Sequence, residues 1–183
     1  MQEPTITILG RPNVGKSTLF NRLVGKRHSI VSSIEGVTRD RIYSKIEWLG
    51  KYYNLIDTGG YIPKADDIIA KQVTFQAEIA RNESDLIIFV VDGRDDITST
   101  DRLLADIIKK SGKPCILVIN KIDTLKNESL VINFYELGLK SIVALSAQSG
   151  RQIGLLLDEI VNILPDLEEV ILPDDLINFA IVG

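Results

Sequence analysis

The chain contains the stretch Gly10-Arg11-Pro12-Asn13-Val14-Gly15-Lys16-Ser17, which lies between an apolar run at 6–9 and a helical pattern at 18–24. The arrangement G-x-x-x-x-G-K-S between a strand and a helix is typical of a phosphate-binding loop. Its two glycines can adopt backbone angles that a side chain would resist, so successive N–H groups converge on phosphate oxygens at the positive end of the helix. The sequence therefore predicts a nucleotide phosphate site here. A simple tight turn before a helix is the alternative.

Two side chains of this loop add a charge and a metal ligand to the backbone site. We expect Lys16 to bind the β- and γ-phosphates and the Ser17 hydroxyl to coordinate magnesium. The residues expected to contact the nucleotide from this part of the chain are Gly10, Asn13, Val14, Gly15, Lys16, Ser17 and Thr18.

Composition and charge restrict the classes of function. The chain has 183 residues, of which 45% are hydrophobic and 25% charged, and its net charge is −4. No basic block offers a footprint for nucleic acid, so direct nucleic-acid binding is not expected. No apolar run approaches the roughly 20 residues that cross a bilayer, and no export signal is visible, so we expect no membrane partner. One cysteine, Cys115, excludes an internal disulfide and favours a cytoplasmic location, with its thiol packed in the core.

Apolar runs and helical periodicity alternate along the chain. Strands are predicted at 5–9, 42–48, 52–56, 85–91, 114–119 and 141–145, and helices at 18–24, 68–80, 98–111 and 129–137, with a last helix that ends at 164. A short turn at 49–51 joins the second and third strands into an antiparallel hairpin, and Gly25 and Gly138 are expected to end two helices. The apolar face of the helix at 98–111 is expected to comprise Leu103, Leu104, Ile107 and Ile108.

This order of elements predicts an α/β domain over residues 1–164. Its three layers are a six-stranded, mostly parallel sheet with one antiparallel strand and helices on both faces of that sheet. Ligands bind outside the carboxyl ends of the strands in such sheets, and the motifs of this chain fall there.

The segment Asn120-Lys121-Ile122-Asp123 follows the fifth strand and favours guanine over adenine. Guanine presents two adjacent donors on its Watson–Crick edge, and the carboxylate of Asp123 can accept both in a bidentate, charge-assisted pair. Adenine has an acceptor where guanine has a donor. Because each hydrogen bond to a charged group is worth about 1.5–3 kcal/mol, the discrimination can exceed about a hundredfold. A polar turn before a helix is the alternative.

Other residues are expected to complete the base site. We expect Asn120 to tie this segment to the phosphate loop and Lys121 to lay its stem over the base. Ser146 and Ala147 follow the last strand and should line the same site, with the N–H of Ala147 reaching the guanine oxygen.

Two irregular segments carry the residues expected at the γ-phosphate. Asp57 would hold magnesium through water, and the N–H of Gly60 would contact the γ-phosphate. Thr38 would contact both the magnesium ion and the γ-phosphate when GTP is bound, although a loop threonine without a ligand is an alternative. Contacts that need a γ-phosphate would order these segments and release them after hydrolysis, which is the behaviour of a switch.

These motifs, in this order over residues 5–164, resemble the Ras-like G domain of translation-factor-class GTPases. More narrowly, the stretches 10–17, 36–41 and 57–60 resemble the Der (EngA) family, and the sibling families Era and MnmE share much of the phosphate loop. The resemblance implies a GTPase that acts in assembly of the large ribosomal subunit. It also implies two G domains in tandem, followed by a domain that resembles an RNA-binding KH fold.

The resemblance also bears on catalysis. Ras-like enzymes have a water-orienting glutamine after the position of Gly60, but this chain has Tyr61, whose phenol cannot supply paired donor and acceptor groups, so we predict slow hydrolysis. Related families bind potassium with an asparagine at the position of Asn13, and this ion replaces an arginine finger. The expected catalytic groups are Asn13, Lys16, Thr38 and Gly60. His28 is assigned no role, and Arg39 and Arg41 fit a solvated loop or a partner contact better than catalysis.

The tail of the chain, residues 165–183, is predicted to lie outside this domain. Residues 165–176 contain prolines and several acids, as a linker does. The sequence from Asn178 to Gly183 repeats the apolar strand and glycine of 5–10, which predicts the first strand of a truncated second G domain. A chance likeness of six residues is the alternative.

Two other classes of function compete with a GTPase. A guanine-nucleotide-dependent binding module with negligible hydrolysis of its own would use the same motifs. An ATP-dependent small-molecule kinase would share the phosphate loop, but it conflicts with Asp123.

Overall fold

The computed structural model describes residues 3–25, 42–58, 75, 78–79 and 82–164. The strands are β1 (Thr5–Leu9), β2 (Ile42–Trp48), β3 (Lys51–Asp57), β4 (Leu86–Asp92), β5 (Cys115–Asn120) and β6 (Ser141–Ala144). The helices are α1 (Lys16–Val24), α2 (Ser99–Ser111) and α3 (Ile153–Ile163), and a 3-10 helix covers Leu125–Leu137.

The six strands form one mixed sheet in the order β2-β3-β1-β4-β5-β6. The strand β1 pairs in parallel with both β3 and β4, and β5 pairs in parallel with β4 and β6. The edge strand β2 is antiparallel to β3. The carboxyl ends of β1, β3, β4, β5 and β6 therefore meet at one edge of the sheet. The predicted fold class, a mostly parallel sheet with one antiparallel strand, is confirmed.

Alternate side chains of the central strands enter two separate apolar layers. One layer packs α1 and α3 on one face of the sheet, and the other packs α2 and the 3-10 helix on the opposite face. The strand β4 shows this division with Leu86, Ile88 and Val90 in the first layer and Ile87, Phe89 and Val91 in the second. An apolar run without charges is thus buried on both sides, which is why it reads as a parallel strand.

Most predicted boundaries agree with the structure to within one or two residues. Gly25 ends α1, and its N–H donates to the carbonyl of Asn21 at 2.8 Å. The helix predicted at 129–137 starts earlier, at Leu125, and has 3-10 geometry up to the cap at Gly138. Cys115 is partly buried against the second apolar layer, and burial raises the pKa of its thiol to about 12.

The predicted apolar face of α2 is wrong at one position. Leu103 is 50% exposed, whereas Leu104, Ala105 and Ile108 are buried. The buried stripe of α2 consists of Asp101, Leu104, Ala105 and Ile108, which follow helical spacing. Leu103 precedes Leu104 by one residue, which turns its side chain by about 100° around the helix, away from this stripe.

The hairpin turn between β2 and β3 contains two residues rather than the three expected, because Lys51 already belongs to β3 and pairs with Trp48. Both turn residues, Leu49 and Gly50, have positive φ, 52° and 78°. This is the requirement of the two-residue type I′ turn, whose twist matches that of the flanking strands.

Several predictions concern parts of the chain that lie outside the described residues. Residues 75, 78–79 and 82 are helical, in agreement with the helix predicted at 68–80, but the rest of that helix is not described. The segment around His28, Thr38, Arg39 and Arg41, the pair Gly60 and Tyr61, and the tail at 165–183 also lie outside. Within the described part of the chain, no helix combines the length and apolar character that crossing a bilayer demands.

Candidate nucleotide-binding site

The loop between β1 and α1 has a backbone that only glycine allows at two positions. Gly10 has φ 148° and Gly15 has φ 97°. A Cβ atom at Gly10 would lie 2.3 Å from the carbonyl oxygen of Val90, and one at Gly15 would lie 2.4 Å from Nδ2 of Asn120. A side chain at either position would push the loop away from β4 or from β5.

The start of α1 is left open to an anion. Gly15 is its N-cap, no side chain caps the first turn, and that turn contains no acidic residue. The start of α2 is different, because Thr98 and Asp101 form a reciprocal capping box there, with bonds of 3.0 and 3.2 Å. The first N–H groups of a helix attract anions, so the uncapped start of α1 is suited to phosphate.

Lys16 is the buried cation of this loop. Its side chain is 7% exposed, and Nζ donates to the carbonyl oxygens of Gly10 and Arg11 at 2.8 Å each. Burial lowers the pKa of Lys16 to about 8, although the negative charge of Asp57 opposes the shift. The ammonium group is therefore held inside the curve of the loop, where a phosphate can gain an ionic contact.

Asp57 and Ser17 carry the oxygen atoms that the sequence predicts as magnesium ligands. Asp57 is fully buried at the end of β3, opposite Ile8 of β1, and Thr58 donates from Oγ1 to the Ile8 carbonyl at 2.8 Å. Ser17 lies exposed in the first turn of α1. One carboxylate and one hydroxyl beside phosphate oxygens are a ligand set that suits magnesium. The described residues contain no group of three or more His, Cys, Asp or Glu side chains that could hold a metal without the phosphates.

The side chain of Asn120 joins the phosphate loop to the other end of the site. Its Nδ2 donates to the carbonyl of Val14 at 2.8 Å, and its Oδ1 accepts from the N–H of Ala147 at 2.9 Å. The first of these bonds is the tie that the sequence predicts. The second was not expected, since the N–H of Ala147 was assigned to the guanine oxygen and here donates to Asn120 instead.

Lys121 links the two ends of the site a second time. Lys121 has φ 69°. Its Nζ donates to the backbone carbonyl of Asn13 at 2.9 Å and forms an ion pair with Asp92. The aliphatic stem is thereby stretched from the end of β5 to the phosphate loop.

Two neighbouring side chains donate hydrogen bonds to the carboxylate of Asp123. Oδ1 accepts from Oγ of Ser146 at 2.7 Å, and Oδ2 accepts from the guanidinium group of Arg94. The hydrogen bond from Ser146, followed by the effect of Arg94, lowers the pKa of Asp123 below its usual range. Asp123 is therefore an ionised acceptor at neutral pH.

The side chains around Asp123, together with Gly15 and Thr18, surround a cleft of about 460 Å³, a volume within the range of small-ligand sites. Lys16, Ser17 and Asp57 are not among the residues that line it. The cleft is lined by Gly15, Thr18, Arg94, Asn120, Lys121, Asp123, Ser146 and Gln148. The structure thus brings the phosphate loop and the 120–123 segment together. It does not describe Thr38 or Gly60.

Sequence reasoning missed three arginines beside the predicted motifs, and of the three Arg94 lines the cleft. Arg11 pairs with Asp95 at 2.6 Å, and Arg22 of α1 donates from Nε to the carbonyl of Ala147 at 2.9 Å. Arg94 binds Asp123. No local pattern marks Arg11 or Arg22. Arg94 follows the end of β4, next to β5 in the sheet, so the topology is the signal that could have revealed it.

Comparison with known proteins places these features in a family. The model of a family described as 50S ribosome-binding GTPase matches residues 5–121. GTPase Der of Alkaliphilus metalliredigens is 48% identical over all 183 residues, and GTPase Der of Clostridium acetobutylicum is 50% identical over the same length. The chain spans 42% of the length of these relatives.

Solved structures show the same fold. The G domain of the T. maritima FeoB iron transporter is 27% identical with a TM-score of 0.61, and the match covers 88% of this chain and 99% of that one. Elongation factor SelB of Methanococcus maripaludis, solved with the GTP analogue GPPNHP, is 22% identical with a TM-score of 0.66 over 89% of this chain and 34% of its own, a likeness of fold alone. The resemblance to the Der family is confirmed by the relatives above. Because the family model spans most of the chain, which also aligns with GTPase Der from end to end, the chain belongs to the 50S ribosome-binding GTPase family.

Proposed function

We propose that this chain binds GTP with magnesium and hydrolyses it to GDP and phosphate, as a switch within a longer bacterial protein. The observation that carries the proposal is the position of Asn120, whose amide bonds to Val14 of the phosphate loop and to Ala147 beyond β6. This amide ties the phosphate loop to the segment that carries Asp123, and Gly15 and Asp123 line one cleft, so one ligand with a phosphate end and a base end can reach both.

The base end is suited to guanine. Asp123 is ionised and lines the cleft, and its carboxylate can accept the two parallel donors of a guanine edge. Adenine would place an acceptor against the same carboxylate, which leaves a charged group without its hydrogen bonds. The stem of Lys121 forms a wall beside the base, and Ser146 fixes one carboxylate oxygen.

The phosphate end is suited to a nucleotide with magnesium. The loop N–H groups and Lys16 would bind the β- and γ-phosphates, while Ser17 and Asp57 would hold magnesium, directly and through water. The magnesium ion supplies positive charge at the phosphates. Thr38 and Gly60 would complete the γ-phosphate site from segments that the structure does not describe.

Hydrolysis joins a water oxygen to the γ-phosphorus and breaks the bond from that phosphorus to the bridging oxygen, which leaves with GDP. Positioning and charge stabilisation supply most of the catalysis of such reactions. We assign charge stabilisation to Lys16 and to a potassium ion at Asn13, and the γ-phosphate contacts to Thr38 and Gly60. Tyr61 in the glutamine position makes the isolated domain a slow enzyme.

The partners of the longer protein follow from the family. Residues 1–164 form the G domain, and residues 165–183 form a linker and the first strand of a second G domain. The proposed target is the large ribosomal subunit, reached through the full-length protein with its second G domain and a KH-like domain. The family description, 50S ribosome-binding GTPase, and the greater length of the relatives support this assignment. The cytoplasm is the proposed location.

Calorimetric titration of GDP and ADP with magnesium tests the guanine site in the 183-residue chain. We expect GDP to bind with a Kd of about 1 µM or lower, and ADP to give no signal, because Asp123 rejects the adenine edge. Equal binding of the two nucleotides would reduce the assignment to an unspecified nucleotide site.

The variant Asp123→Asn provides the matched control, because it replaces one carboxylate oxygen by an NH2 group and leaves the size of the side chain unchanged. The amide should weaken GDP binding by about a hundredfold and improve the binding of xanthosine diphosphate, whose acceptor faces the new donor. If Asp123→Asn binds neither GDP nor xanthosine diphosphate, the site is damaged, because a change in base preference requires tighter binding of xanthosine diphosphate.

A further inference from the structure

Arg94 lies in the turn after β4, and the backbone of this turn is fixed against the end of β5. The N–H of Gly93 donates to the carbonyl of Asn120 at 2.8 Å, and the N–H of Arg94 donates to Oδ1 of Asp92 at 3.1 Å. A Cβ atom at Gly93 would lie 2.8 Å from the Asn120 carbonyl oxygen, so the turn lies too close to β5 to admit a side chain. The position from which the Arg94 side chain extends is therefore fixed by β5, the strand that precedes Asp123.

The contacts of Asp123 leave a defined pair of acceptor positions. A carboxylate offers about four lone-pair positions, two on each oxygen. Among the described residues, Ser146 donates to Oδ1 and Arg94 donates to Oδ2, so one position is used on each oxygen. One position remains on each oxygen, and two parallel donors on a guanine edge require that arrangement.

The exposure of the pair indicates what Arg94 adds. The side chain of Asp123 is 34% exposed, and that of Arg94 is 56% exposed. Without the arginine, a carboxylate at the edge of the cleft would be held at one oxygen alone and could rotate about its bond to Cβ. We propose that Arg94 is a positioning residue for base recognition, which holds Asp123 so that both carboxylate oxygens accept from guanine. This inference rests on the proposed guanine site.

The opposite role would follow from the same contact if the guanidinium group occupied space that the base needs. Arg94 lines the cleft together with Asp123. A competing arginine would weaken guanine binding, and its removal would strengthen it. The two roles therefore predict opposite changes in affinity.

Titration of GDP and IDP into the wild-type protein and into Arg94→Ala tests the proposal. IDP lacks the exocyclic amino group, so it offers the carboxylate one donor instead of two, and the wild-type protein should prefer GDP by about tenfold or more. In Arg94→Ala the Kd for GDP should rise by about three- to tenfold and that for IDP by less. The preference for GDP over IDP should then fall by at least about threefold.

Two further variants separate positioning from general damage. Arg94→Lys restores a donor and a charge, and it should recover most of the preference for GDP. Arg102→Ala removes an arginine of the same exposure that pairs with Glu136 at 2.6 Å and does not line the cleft, and it should leave both Kd values unchanged. A partly unfolded variant would bind both nucleotides less well, without a change in their ratio.

An unchanged ratio of the two Kd values in Arg94→Ala would overturn the proposal, and tighter GDP binding would assign the competing role instead. If the wild-type protein itself fails to prefer GDP over ADP, the proposed function fails, and base recognition by Arg94 fails with it. The wild-type titration therefore tells the two failures apart.

Discussion

Lys16 shows how burial of one residue makes the proposed nucleotide site sensitive to pH. Its ammonium group is almost wholly buried, with two backbone carbonyl oxygens as acceptors, and burial lowers its pKa to about 8. A bound phosphate stabilises the charged form, so nucleotide binding should raise the pKa of Lys16. Above pH 8 the free protein has lost this proton, and binding must take it up again.

We therefore expect GDP binding to weaken in mildly alkaline solution. The Kd should be nearly constant below pH 7 and rise about tenfold between pH 7 and pH 9, since the fraction of protonated Lys16 falls by that factor. Titrations in two buffers of different ionisation enthalpy would detect the proton that is taken up. Lys16→Arg is the control, because its guanidinium group does not titrate in this range, and its Kd should not change with pH.

The same pKa has an opposite consequence for folding of the free protein. The unfolded chain has the ordinary lysine pKa of 10.5, so between about pH 8 and pH 10.5 it binds more protons than the folded chain. The contribution of Lys16 to the free energy of unfolding therefore rises with pH over this range.

For the binding prediction, a GDP Kd independent of pH in the wild-type protein would contradict the role given to Lys16.

The β2–β3 hairpin contains a local conflict between sequence and structure. Leu49 has φ 52° in a two-residue turn, and its side chain is 72% exposed. A left-handed conformation costs a residue with a Cβ atom about 1–2 kcal/mol, and packing of an exposed side chain does not offset it. Asparagine tolerates this conformation, and Asn-Gly is the preferred pair in such turns.

We expect Leu49→Asn to stabilise the protein. The free energy of unfolding should rise by about 0.5–1 kcal/mol, and Tm by about 1–4 °C, as measured by denaturant and thermal unfolding. Ile132→Asn is the matched control, because this isoleucine is 71% exposed and is not among the residues with positive φ. If both variants gain the same stability, the benefit comes from removing exposed apolar surface and the argument from turn geometry fails.

Other elements show which local signals identify structure. The strands buried on both faces were predicted to within one residue, because apolar runs without charges have few alternatives in an α/β chain. The 3-10 geometry of Leu125–Leu137 was missed, since apolar spacing does not distinguish α from 3-10 turns in a weak helix. The exposed side chain of Leu103 was also missed, because the neighbour that α2 packs against decides which stripe is buried.

At the scale of the whole molecule, parallel topology gathers the predicted motifs at one edge of the sheet. Sequence patterns identified the phosphate loop and the 120–123 segment, since each carries its chemistry in consecutive residues. The arginines around them could not be predicted in this way. Arg94 and Arg22 lie 29 and 125 residues from Asp123 and Ala147, the partners that they bind. The sheet order brings Arg94 close to Asp123, and Arg22 meets Ala147 because α1 packs in the same apolar layer as Ala147.

Turnover also depends on the whole molecule, because the proposed catalytic groups come from the phosphate loop and from two other segments. Of this set, the structure describes Lys16 and Asn13, and Asn13 is the proposed potassium ligand. It has φ 66°, its side chain is exposed, and its carbonyl accepts from Nζ of Lys121 at 2.9 Å. Its backbone is thus held from the base end of the cleft, which leaves the amide group for the proposed potassium ion.

We expect GTP turnover to be faster in potassium than in sodium. An arginine finger is worth about 10³–10⁵ in rate, so partial replacement by potassium should give a difference of at least about tenfold at matched ionic strength. Asn13→Gly removes the amide and keeps a residue that accepts positive φ, so it should abolish the difference while the Kd for GDP changes by less than about threefold. Equal rates of the wild-type protein in the two salts would remove potassium from the mechanism. A difference that survives in Asn13→Gly would place the ion at other ligands, because the glycine variant has no side chain with which to bind it.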